Sequence, residues 1–160
     1  MTTDYTKFVR DSIVRVAKKC NKVVNVETEQ NIWLGNPKGK VKVATYFTPD
    51  IHFVMNNSKV FIFQLCDSQA NKQKEILGDL FSALLAPEVR KIYFIVPPDR
   101  REEIEQVCKV VRSILQHRLH LSEKEMHEYF VWDIPKGNRQ KIEEAVVKLA
   151  IKENWGFGLS

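Results

Sequence analysis

The chain reads as an α/β protein built on a mixed β-sheet of about five strands flanked by helices. Three observations predict this. Val60-Phe61-Ile62-Phe63-Gln64-Leu65-Cys66 is the strongest strand signal in the chain, and Lys91-Ile92-Tyr93-Phe94-Ile95-Val96 is a continuous apolar run of the kind found in a strand buried on both faces. Stretches with apolar residues at three- and four-residue steps lie before, between and after them. The early strand-like segments are joined by short Gly, Pro and Asn turns, and the later ones by helical segments.

The elements follow in order. Residues 4–20 set Phe8, Val9, Ser12, Ile13, Val16, Ala17 and Cys20 on one helical face, and Asn21 is a suitable end. Residues 23–34, rich in β-branched side chains, read as a strand. Gly35-Asn36-Pro37-Lys38-Gly39 then turns the chain into a strand over 41–47. Thr48-Pro49-Asp50 leads into a strand over 51–55, and Asn56-Asn57-Ser58 signals a tight hairpin before the strand over 60–66. Asp67 or Ser68 can cap the next helix, whose stripe of Ile76, Leu77, Leu80, Phe81, Leu84 and Leu85 is closed by Pro87.

A strand over 91–96 stops at Pro97-Pro98-Asp99, which opens a long helix directing Ile104, Val107, Cys108, Val111, Ile114 and Leu115 to the core. A strand over 129–134, the turn Pro135-Lys136-Gly137-Asn138 and a helix over 139–153 complete the order. Strands joined by short turns are largely antiparallel, and strands joined through helices favour right-handed parallel crossovers, so the sheet is expected to be mixed.

Composition bounds the class. At 160 residues and 18.7 kDa, with 44% hydrophobic and 28% charged residues, the chain suits one globular domain over 1–160 and excludes disorder or a disulfide scaffold as the main account. No apolar run approaches bilayer length, and residues 1–12 lack the apolar centre of a secretory leader, so a soluble, cytoplasmic protein without a membrane partner is expected. Cys20, Cys66 and Cys108 match no zinc or CxxC spacing and read as buried reduced thiols.

The charge is unevenly placed. Residues 1–60 hold 10 basic and 5 acidic side chains, whereas residues 61–160 hold 15 of each. The whole excess of +5 therefore lies early, with Lys18, Lys19 and Lys22 after the first helix and Lys38, Lys40 and Lys42 around the Gly/Pro turn. A one-sided excess of this kind suits a phosphate-binding face.

The pattern with the most chemical content is Thr48-Pro49-Asp50-Ile51, a hairpin, and then Phe61-Ile62-Phe63-Gln64-Leu65-Cys66-Asp67 running into a helix. Strand alternation puts Gln64 and Cys66 on one face, and Asp50 at the start of the neighbouring strand can converge with them. Gln64 can equally be a buried amide paired with backbone or with Gln73, and Cys66 a small core residue.

The arrangement resembles the PD-(D/E)XK superfamily of restriction-endonuclease-like nucleases. The resemblance covers the helix, three-stranded meander, helix and strand over residues 4–96, and the later helix and strand extend it. Pro49 and Asp50 match the family's motif, while Gln64 stands where the family has an acid and Cys66 where it has a lysine. The resemblance implies a restriction-endonuclease-like core and a nucleic-acid-associated protein, either a divergent Mg²⁺-dependent nuclease or a cleavage-deficient descendant that binds DNA or RNA. For an active enzyme it assigns Asp50 and Gln64 to Mg²⁺ and Lys74, in place of the missing lysine, to the attacking water or the scissile phosphate. Lys38, Lys40, Lys42 and Lys72 would grip the nucleic-acid backbone, and a homodimer would supply a module for each strand of a duplex, since a single module cuts one strand at a time. The competing expectation is a structural or protein-interaction module on the same fold, with no nucleic acid bound.

Other patterns carry less. His117 and His120 stand at a three-residue helical step, with His127 later, but lack a third convincing zinc ligand, and the step reads as a solvated helix end. Phosphate-loop, dinucleotide and hydrolase-elbow motifs are missing from the sequence. Trp155 and Phe157, among glycines near the end, are expected to dock onto the domain's own surface.

Overall fold

A computed structural model describes residues 4–34, 45–66, 72–86 and 88–158. The elements are α1 (Asp4–Ala17), β1 (Val23–Thr28), β2 (Ile32–Leu34), β3 (Thr45–Phe47), β4 (Ile51–Met55), β5 (Val60–Leu65), α2 (Lys72–Leu85), β6 (Val89–Val96), α3 (Arg101–Leu119), β7 (Glu128–Asp133) and α4 (Arg139–Lys152). Five strands form an open mixed sheet in the order β1-β4-β5-β6-β7. The pairs β1/β4 and β4/β5 are antiparallel, and β5/β6 and β6/β7 are parallel. The short turn between β4 and β5 gives an antiparallel pair and the helical crossovers give parallel ones, as expected, while β1 meets β4 only after the chain has passed through β2 and β3.

The expected single strand over 23–34 is corrected. The chain breaks at Glu29, whose φ of 52° is left-handed, and Ile32–Leu34 pairs with Thr45–Phe47 in a separate two-stranded sheet. The Glu29 N–H donates to the Asp50 carbonyl at 3.1 Å, which anchors the break to the start of β4. Of the strand expected over 41–47, Thr45–Phe47 lies among the described residues. The hairpin at 56–58 forms as expected: Met55 N–H donates to the Lys59 carbonyl at 2.8 Å, and Ser58 takes the left-handed position at φ 67°.

Both faces of the sheet are covered. On one face α1 and α4 pack over Ile51, Phe53, Phe61, Phe63, Tyr93 and Ile95. Trp155 is fully buried there, edge-on to Phe53 at 5.0 Å and to Phe63 at 5.5 Å, while Tyr93 stacks on Phe63 at 4.7 Å. The C-terminal aromatic segment therefore docks onto the domain itself, and backbone bonds from Asn21 to Gly156 and from Lys22 to Trp155 fix it beside α1.

On the opposite face α2 and α3 cover Ile62, Cys66, Ile92, Phe94 and Val96. Here the expected apolar stripes are corrected. Ile76, Leu80 and Ala83 of α2 and Ile104, Cys108 and Leu115 of α3 are buried, whereas Leu77, Phe81, Leu85 and Ile114 are 42% to 53% exposed. Two helices lying on a sheet bury only the sector that faces it, and both stripes are wider than that sector.

All three cysteines are buried thiols. Among the described residues, no helix is long and apolar enough to cross a membrane.

Candidate functional site

The register of β4 on β5 builds the site. Ile51 pairs with Phe63, so Asp50, one residue earlier, comes opposite Gln64, one residue later. Even-numbered residues of β5 face α2, which puts Ile62, Gln64 and Cys66 on that side as the alternation predicts. This corner lies at the C-terminal ends of the parallel strands, where the chain leaves β5 for α2.

Asp50 is tied by its backbone and its side chain. Its carboxylate Oδ2 accepts the Leu65 backbone N–H at 2.7 Å, and its own N–H donates to Gln64 Oε1 at 3.0 Å. Gln64 Nε2 in turn donates to Asp79 Oδ1 at 2.9 Å, so one amide bridges the strand start and α2. Asp50, Gln64 and Asp79 are all half-buried, where hydrogen bonds to carboxylates are stronger than on an open surface. Cys66 is buried; its Sγ approaches the Gln64 carbonyl at 3.9 Å, and it packs in the same apolar layer as Cys108. Burial, with Cys66 and Asp79 nearby, pushes the Cys108 thiol up, so it is protonated and inert.

His52 extends the corner along β4, opposite Glu27 of β1. Burial lowers its pKa and Glu27 opposes that shift, while its Nδ1 is buried without a hydrogen-bond partner among the described residues.

Asp50 and Gln64 are thus brought together; of the two partners expected for the Gln64 amide, backbone or Gln73, it takes backbone at Asp50, and its partner on the helix is Asp79. Asp79 escaped the sequence reading, although its helical position gives it away. At about 100° per residue it lies roughly 60° from Ile76, an acid at the border of the buried sector. Lys74 lies roughly 160° from Ile76 on the same count. It is exposed and lines a groove toward α3 with Gln73. Lys38, Lys40 and Lys42 lie outside the described residues, and Lys72 is the first residue of α2.

The donor set bears on Mg²⁺. A hard cation at this corner needs oxygen ligands. Gln64, however, turns its carbonyl to the Asp50 N–H and its amide nitrogen to Asp79, so the group facing the second carboxylate is a hydrogen-bond donor. Among the described residues no cluster of three His, Cys, Asp or Glu side chains suits a metal ion. Arranged in this way, the residues do not fit Mg²⁺ between Asp50, Gln64 and Asp79.

No family model, curated protein or solved structure matches this chain.

Proposed function

We propose that the chain is a nucleic-acid-associated protein with a restriction-endonuclease-like core, a cleavage-deficient descendant that binds DNA or RNA. The observation that carries this reading is the Gln64 bridge, which holds Asp50 and Asp79 at one corner with neutral amide hydrogen bonds. A nuclease of the type the sequence resembles would need an acid there, and a cation to compensate the carboxylates. The opening of β4 by Pro49-Asp50, its antiparallel partner β5 and the crossover through α2 to parallel β6 all support the same core. Early basic excess supports an anionic polymer as the ligand.

The test is binding and cleavage on duplex, single-stranded and branched DNA and on RNA, with Mg²⁺, Mn²⁺ or EDTA. Binding that weakens steeply with salt, without cleavage in any metal, is expected. Metal-dependent cleavage lost in both Asp50→Ala and Lys74→Ala would instead establish the divergent nuclease, with Asp50 and Gln64 at the metal and Lys74 at the phosphate.

One observation favours the second reading, a protein-interaction module. Leu77, Phe81, Leu85, Val110 and Ile114 are exposed on the outer side of α2 and α3, beside a groove of about 540 Å³. An apolar interface there would hold its partner as ionic strength rises, whereas phosphate binding would fail.

A further inference from the structure

The end of the sheet opposite the Asp50–Gln64 corner carries a second feature. Lys22 precedes β1, Lys59 closes the β4–β5 turn, Arg90 and Lys91 open β6, and Lys124 precedes β7. Strands lie about 4.8 Å apart, so this row runs roughly 19 Å across the sheet, a length that faces about five or six successive phosphates of one strand. Lys59, Arg90, Lys91 and Lys124 converge on a cavity of about 420 Å³, which Glu123 and Glu128 also line, so the cations there outnumber the acids four to two.

Three observations support a ligand surface along this row. First, Arg10, Arg15, Arg100, Arg101 and Arg112 each lie against a carboxylate. Among the described residues no carboxylate comes within ion-pair distance of Lys59, Arg90, Lys91 or Lys124; the same holds for Lys7, Lys109 and Lys148, which are scattered over three helices, so alignment along one sheet end is what sets the row apart. Second, the acids at this end are partly committed elsewhere. Glu123 accepts from Arg112 and Gln116, each at 3.0 Å, and Glu125 accepts from Ser122; Glu88 and Glu128 remain. Third, the Lys91 ammonium is held over the rings of Phe61 at 5.0 Å and Phe130 at 5.4 Å, a preset cation within the row.

We infer that this basic row, at the end of the sheet away from the Asp50–Gln64–Asp79 corner, is a binding surface for the phosphodiester backbone of a nucleic acid. The inference rests on the nucleic-acid association proposed above and places it on residues outside the motif. A line of cations one strand apart matches a linear polyanion better than a plane of lipid headgroups. Such contacts read charge and carry no base sequence.

The experiment measures anisotropy of labelled single-stranded DNA, duplex DNA and RNA of one mixed sequence across a salt series. It compares the wild type with a Lys59→Ala/Arg90→Ala/Lys124→Ala variant and with a control, Lys7→Ala/Lys109→Ala/Lys148→Ala, which removes three exposed lysines elsewhere. Thermal melts establish that both variants fold, and anionic vesicles form a separate arm. The row variant is expected to lose about three from the log–log salt slope and at least about tenfold in affinity on every oligonucleotide, with the control close to wild type. If the wild type binds and the row variant matches it, the surface is elsewhere and this inference is overturned while the proposed function stands. If the wild type binds no oligonucleotide, the proposed function fails and takes the inference with it. Binding of vesicles alone, lost in the row variant, would assign the row to a membrane surface and overturn the inference.

Discussion

Gln64 donates its side-chain N–H to Asp79 at 2.9 Å, although the two residues are 15 positions apart and on different elements. The same amide accepts from the Asp50 backbone at 3.0 Å, so it is oriented at both ends. Gln64→Glu removes the donor and adds a negative charge beside Asp79. The expected cost is about 1–3 kcal/mol at neutral pH, measured by denaturant unfolding. If the corner retains the geometry of a metal site, Mg²⁺ or Mn²⁺ will restore much of that loss in Gln64→Glu and leave the wild type unchanged. A variant as stable as wild type without metal would show that the bridge contributes nothing.

His127 supplies a pH dependence. It is buried, both ring nitrogens lack partners among the described residues, and burial, with Arg112 nearby, lowers its pKa to about 4. The folded value lies below the ordinary 6.5, so the unfolded chain binds the proton more readily. Stability is therefore expected to be retained above about pH 6.5 and to fall as pH drops toward about 4, by on the order of 3 kcal/mol. Urea melts across that window check it. In His127→Leu the slope is expected to flatten; an unchanged slope would place the acid sensitivity elsewhere.

Two glycines are expected to respond in opposite directions. Gly156 has φ of 83°, and a Cβ there would sit 1.9 Å from the Asn21 side-chain oxygen and 3.1 Å from the Lys22 backbone nitrogen. Gly156→Ala is expected to destabilise by about 2 kcal/mol or more. Gly78 is an exposed position inside α2, with nothing within 4 Å of an added Cβ. Gly78→Ala is expected to stabilise by roughly 0.5–1 kcal/mol through helix propensity. Thermal unfolding of the two variants reads both signs.

Adjacent residues of α2 separate core from surface. Ile76 is 1% exposed and Leu77 44%. Ile76→Ala is expected to cost about 2–5 kcal/mol and Leu77→Ala under about 1 kcal/mol. Similar losses at both sites would mean that Leu77 is covered in solution.

The sheet was legible because its residues are locally decisive. Phe61 to Cys66 and Ile92 to Val96 admit little but buried strands, and Asn56-Asn57-Ser58 admits a tight turn. Asp50 and Gln64 could be brought together on paper because strand alternation and antiparallel pairing are nearly geometric rules. The break at Glu29 was hidden, since a left-handed glutamate has no composition signature and is held by a partner 21 residues away, Asp50. Asp79 was missed for a related reason. The width of a helix's buried sector depends on what it lies against, and a stripe drawn through Leu77 and Leu84 rotates the reading away from the face that meets Gln64.

The pairing of α1 with α4 sets a clock for synthesis. Tyr5 donates its hydroxyl to the Ile134 carbonyl at 2.6 Å across 129 residues, Arg15 meets Glu143 at 3.0 Å, and Cys20 bridges to Phe157. Until residues 139–157 have left the ribosome, Ile13 and Val16 of the first helix and Phe53 and Phe63 of the sheet lack their covering layer. The α2–β6–α3–β7 half closes from neighbouring segments, whereas the other face waits for residues 139–157. A nascent chain stalled before residue 139 therefore displays its most aromatic surface, which makes that interval the one in which a chaperone would have most to hold.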